Sequence, residues 1–116
     1  MMTSNIENNC HYCVPAHTWI MKSAKMPEDV IVALRNGSEI PDAKLQALSV
    51  FTKAMWDKRG HVGDEALNNF LSAGYTNKHA IEIMTGMACK LISNFTNGMT
   101  QTKVDAPFQE FAWQSK

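Results

Sequence analysis

The sequence predicts an all-α protein, and three observations carry that expectation. Apolar residues recur at intervals of three and four over most of the chain. No alternating run is long enough for a strand. Proline, acids and asparagine stand where the periodic stretches begin, and glycines stand where they end.

A first helix is expected from about Cys10 to Ala24, capped by Asn8 or Asn9, with Trp19 and Met21 among its apolar residues. Pro15 removes a donor and crowds the preceding turn, so either the regular helix starts near Tyr12 or it kinks there. Pro27, Glu28 and Asp29 open a second helix that Asn36 and Gly37 close. Pro41 and Asp42 begin a longer one to about Arg59, with Leu45, Leu48, Thr52, Met55 and Trp56 near one face and Gly60 as its stop. Asp64 caps a segment whose buried stripe is Leu67, Phe70 and Leu71, ended by Gly74. Thr76 or Asn77 starts the most hydrophobic helix, in which Ile81, Met84, Ala88, Leu91, Ile92 and Phe95 keep helical rhythm; this one is expected to be central. After Gly98 a polar loop leads to an aromatic tail, Pro107 to Trp113, whose Phe108, Phe111 and Trp113 should pack on a neighbour.

A chain of 116 residues is expected to form a single domain, residues 1–116, with its own core. Eleven basic and eleven acidic side chains cancel, which argues against nucleic acid or an anionic membrane as partner. No apolar run approaches the roughly 18 residues of a membrane span, and Met1 to Asn9 lacks the basic and apolar regions of a signal peptide. The expectation is a cytoplasmic protein with reduced thiols, where a close cysteine pair points to metal or catalysis before cross-linking.

The stretch NNCHYCVPAHT concentrates two of the three cysteines and two of the four histidines within eight residues. On a helix Cys10 and Cys13 would stand roughly 5 Å apart, within disulfide range, and His17 would share their face as a base four residues on. A free thiol with pKa about 8.5 is mostly protonated at neutral pH, and a helix N-terminus supplies only about 0.3–1 kcal/mol of the stabilisation a thiolate needs. His17 is the candidate for the remainder, as a base that takes the thiol proton and returns it to a leaving group. The same residues also read as three soft metal ligands, with a fourth from His11, His61 or Cys89, or as an inert pair. Against a closed metal site stands the lack of a second ligand pair. Tyr12, His11 and Glu7 are auxiliary candidates. A regular helix turns His11 away towards solvent, and Ser4 with Glu7 reads as a capping box. Cys89 is expected to be a small buried thiol, the methionines to fill core gaps, and His61 and His79 to face solvent or cap helices.

The chain also resembles the alkyl hydroperoxidase D-like branch of the carboxymuconolactone decarboxylase family. Besides NNCHYCVPAHT, the resemblance rests on IPDAKLQALSVFTKAMWDKRGHVGDEALNNFLSAGYTNKHAIEIMTGMACKLISNFTN and VDAPFQEFAW, and so covers nearly the whole sequence. It implies an all-helical bundle assembled into trimers or hexamers, with thiol peroxidase or disulfide reductase activity. Cys13 would be the reactive thiol, Cys10 the resolving one, and His17 part of a proton relay. A hydroperoxide would be the substrate, a lipoyl-like or thioredoxin-like dithiol the reductant, and no cofactor or metal would be required. The family's relay glutamate lies twelve residues before the first cysteine, a position before Met1. Tyr12 fills the slot where some relatives carry a histidine, and Gly98 stands where relatives of the NHxxGT pattern have another. Without upstream helices, the apolar surface of the central helices would need a second copy to cover it, so a homo-oligomer is expected.

Overall fold

In the computed structural model, which describes residues 1–114, the cysteine motif begins in a bend between two helices, with Cys10 in the bend and Cys13 and His17 in the second helix. A short helix α1, Met2–Glu7, precedes it. Asn8 ends α1, Asn9 adopts a left-handed φ of 50°, and the chain turns back with the Cys10 amide donating to the Asn5 carbonyl at 2.9 Å. Helix α2 is Cys13–Ser23. It starts after Tyr12, the first of the two alternatives that Pro15 left open, and Pro15 stands third, where an amide has no intrahelical partner to lose. Neither Asn8 nor Asn9 caps it, because both are used to end α1 and reverse the chain.

The next boundaries follow the sequence closely. Helix α3, Glu28–Asn36, has its two acids in the first turn and Gly37 in the left-handed region that closes it. Helix α4, Ala43–Asp57, begins where the Asp42 carboxylate accepts from the Leu45 amide at 2.8 Å, and Gly60, at φ 86°, turns the chain away. Helix α5 is Gly63–Ser72, so Asp64 lies inside its first turn and does not cap it. Helix α6, Asn77–Thr100, opens with a capping box in which Thr76 and His79 exchange bonds. It continues through Gly98 and is closed by Gln101 at φ 50°, which moves the expected loop two residues on. A 3-10 helix, Ala106–Phe111, follows. Among the described residues there is no strand, and the all-α expectation is met. No described helix is long and apolar enough to cross a membrane.

Three apolar clusters hold these elements. Met2, Val14, Met21 and Ile31 bring α1, α2 and α3 together under Trp113, whose indole donates to the Arg35 carbonyl at 3.3 Å. Val30, Ala33 and Ile40 seat α3 against the start of α4. Phe51, Met55 and Phe70 join α4 to α5, with Phe70 stacked between Phe51 and Tyr75 at centroid distances of 4.3 and 4.4 Å. Burying one such ring contributes roughly 1.5–3 kcal/mol. The aromatic tail docks as expected: Phe108 meets Tyr12 and Trp19, and Phe111 lies beneath the Lys22 ammonium.

Helix α6 departs most from expectation. The stripe expected to be buried is exposed, with Ile81 at 62%, Ile92 at 68% and Phe95 at 58%, and Met84, Ala88 and Leu91 beside them. Cys89 is likewise exposed. The side that packs inward carries Ile83 and Met87 near its start, then Lys90, Asn94 and Asn97. Helical periodicity identifies an apolar face, but it does not say which partner covers that face. Here the polar side meets α1 and α2, because hydrogen bonds wait for it there.

Candidate functional site

The site is assembled from two strictly local features and one distant helix. Cys10 closes the bend before α2, and the Cys13 amide donates to Cys10 Sγ at 3.2 Å. The first sulfur therefore accepts from the first amide of the helix that the second begins, one of the donors left without an intrahelical partner. The expected single helical stripe of both thiols is replaced by this cap, since Cys10 lies outside α2. Both sulfurs are free and buried, at 2% and 3% exposure.

Burial pushes the Cys10 thiol above its ordinary range, and a hydrogen bond with the Cys13 thiol adds to the rise. From α6, Asn97 Nδ2 donates to Cys13 Sγ at 3.3 Å.

His17 stands one turn along α2, but it does not address a sulfur. Its Nδ1 lies 3.0 Å from the Cys13 carbonyl, which can only accept, so Nδ1 carries the proton and Nε2 keeps the free lone pair. Burial, then the Lys90 ammonium, lowers its pKa to about 4; the bond to the Cys13 carbonyl opposes this, and the Met1 amine adds a smaller push downward. The imidazole is a neutral and weak base at pH 7.

The auxiliary candidates separate. The His11 ring is half-buried rather than turned to solvent, because Nε2–H donates to the Thr102 carbonyl at 2.9 Å. Tyr12 donates its phenolic proton to Asp105 at 2.5 Å, and this bond raises its pKa. Both fasten the segment after α6 over the motif. Glu7 forms no capping box with Ser4, because both lie inside α1. Glu7 instead pairs with Lys53 at 2.7 Å, while Ser4 is buried and accepts from the Trp56 indole at 2.9 Å.

Three asparagines, none of them among the candidate site residues, hold the site together. Asn8 donates to Asn94 at 3.0 Å, Asn94 donates to Asn5 at 2.9 Å, and Asn5 donates to the Cys13 carbonyl at 3.2 Å. Asn5 and Asn94 are 0% and 3% exposed. The available signal was an asparagine in mid-helix, a poor helix former that needs a reason to be there. Among the described residues no group of three or more His, Cys, Asp or Glu side chains could hold a metal ion. Neither a family model nor a curated protein matches the chain.

The His17 shift has a consequence for stability. The unfolded chain binds this proton near 6.5 and the folded one only near 4, so acid favours unfolding across that interval. Thermal midpoints should fall as pH drops from 6.5 to 4, and the slope attributable to this group should disappear in His17→Gln. A midpoint that falls equally in the variant would show that other groups cause the loss.

Proposed function

We propose that the Cys10–Cys13 pair is the centre of a thiol–disulfide oxidoreductase that reduces hydroperoxides. The observation that carries this reading is the first sulfur seated on the second cysteine's amide at a helix start. The Cys13 amide donates to Cys10 Sγ, and burial pushes the Cys10 thiol above its ordinary range. Cys13, which accepts from Asn97, is then the nucleophile. The resemblance to alkyl hydroperoxidase D-like proteins gives the same assignment.

In the reaction, Cys13 sulfur attacks the terminal oxygen of ROOH. The O–O bond breaks, ROH leaves with a proton, and Cys13 becomes a sulfenic acid. Cys10 sulfur displaces the hydroxyl as water and forms the disulfide. A dithiol, lipoyl-like or thioredoxin-like, reduces the bridge, gives its two hydrogens to the two sulfurs and is itself oxidised. His17 Nε2 keeps a lone pair that none of the bonds described occupies, and it can shuttle the proton.

Cys89 complicates any assay because it is the exposed thiol, so the test uses a Cys89→Ser background. Hydroperoxide should convert the reduced protein to a Cys10–Cys13 disulfide, seen as the loss of two hydrogens by mass. Turnover with a dithiol should vanish in Cys13→Ser. In Cys10→Ser, Cys13 should stop at the sulfenic acid, trapped by a dimedone-type probe. Undiminished turnover in Cys13→Ser would sink the proposal.

The chain is further proposed to self-associate through α6. Ile81, Met84, Ala88, Leu91 and Phe95 recur at three and four residues with nothing covering them, the spacing by which one helix seats another. Light scattering at micromolar concentration should give a mass above the 13.0 kDa of one chain, and Leu91→Glu with Phe95→Glu should return it to monomer. A monomeric wild-type protein would contradict this.

A further inference from the structure

Helices α1, α2, α3, α4 and α6 wall a cavity of about 700 Å³, within the roughly 300–1,000 Å³ range of small-molecule sites. The wall is mainly apolar, with Met21, Leu34, Leu45, Leu48 and Met87 among its side chains. Along α6 it takes in His79, Glu82, Ile83, Gly86 and Met87, spaced by three and four residues. This side of α6 is distinct from the exposed stripe of Ile81, Met84 and Leu91. From His79 to Met87 the helix advances about 12 Å, which gives an elongated molecule room to lie along it.

The polar groups of the wall narrow what can occupy it. Its hydroxyls are engaged: Thr3 and Ser49 bond each other at 3.0 Å, Ser4 accepts from the Trp56 indole at 2.9 Å, and Thr52 and Tyr75 donate to the Leu48 and Lys44 carbonyls at 2.8 and 3.0 Å. The two imidazoles each keep one nitrogen, and in opposite senses. In His79, Nδ1 accepts from the Thr76 amide at 3.0 Å, so Nε2 carries the proton. In His17, Nδ1–H donates to the Cys13 carbonyl at 3.0 Å, so Nε2 is an acceptor. Among the described residues none bonds that Nε2. Every sealed side-chain nitrogen and oxygen does have a partner, so this nitrogen is open, on a residue that lines the cavity. With a pKa of about 4 the ring stays a neutral acceptor at pH 7.

Charge narrows the choice further. Glu82 is the one carboxylate in the wall, exposed and 3.6 Å from Lys78, and no Lys or Arg side chain of the described residues lines the cavity. An anion there would meet a like charge and no counter-charge, and an ammonium would leave water for an apolar wall whose carboxylate already has a partner. An uncharged donor avoids both costs. We infer that this cavity binds an uncharged alcohol, its hydroxyl donating to His17 Nε2 and its hydrocarbon body lying along α6. The inference stands on the cavity and the His17 tautomer and does not depend on thiol chemistry.

Calorimetric titration of the full chain with 1-octanol tests it. The controls are heptyl methyl ether, an isomer of the same size that cannot donate, and octanoate and octylamine as the charged forms. The alcohol should bind about threefold or more tighter than the ether, the scale of one neutral hydrogen bond, and roughly tenfold tighter than either charged form. In ¹⁵N-labelled protein the His17 Nε2 resonance should move upfield with the alcohol and stay in place with the ether. His17→Phe should remove the alcohol's advantage while the ether still binds. Gly86→Phe should block both, since Gly86 lines the cavity and nothing lies within 4 Å of where its Cβ would be. Equal affinity for alcohol and ether, or an advantage that survives His17→Phe, would overturn the hydroxyl assignment. Tighter binding of octanoate or octylamine would overturn the choice of an uncharged ligand, and no binding of 1-octanol by the wild-type chain would overturn the site. If His17→Phe fails to fold, the wild-type comparison of alcohol with ether and the Nε2 resonance still decide the question.

Discussion

Asn94 ties together α1, the start of α2 and α6. It accepts from Asn8, donates to Asn5, and through Asn5 reaches the carbonyl of Cys13. The bend that holds Cys10 over the start of α2 is thereby fixed to a helix more than eighty residues away. Buried amides impose this arrangement because each one left unpaired costs about 1–3 kcal/mol, whereas an apolar contact can slide. The same bonds set the rotation of α6: once Asn94 faces inward, Lys90 and Asn97 follow one turn either side, and Ile81, Leu91 and Phe95 must face outward.

That rotation explains why the sequence was legible in some places and not in others. Glycine, proline and capping acids act through a few neighbouring residues, so the boundaries at Asn36, Asp42, Gly60 and Thr76 could be read directly. The aromatic tail was legible because three large rings in seven residues have few places to go other than a neighbour. Helix α1 escaped notice because it is only six residues long and buries Ser4 and Asn5 beside Met2, which gives no apolar rhythm. The orientation of α6 was misjudged because periodicity reports a face and leaves its partner open. In the site, the cysteines and His17 were visible as a motif. The asparagines that hold them, and Lys90, come from distant positions and carry no local signature.

The chemistry of the site is also shaped by what faces inward. Cys13 Sγ accepts from the Asn97 side-chain amide, while burial raises the pKa of the neighbouring Cys10 thiol. His17 has its free lone pair on Nε2, but burial and Lys90 keep it a weak base.

The account rests on the inward polar side of α6 holding the cysteine bend, and the protection of the two buried thiols measures that most directly. In Asn94→Ala, Asn5 loses its donor and Asn8 its acceptor, so Cys10 and Cys13 should be alkylated at least tenfold faster under native conditions while exposed Cys89 reacts at its wild-type rate. Unchanged protection of Cys10 and Cys13 in a folded Asn94→Ala protein would contradict it.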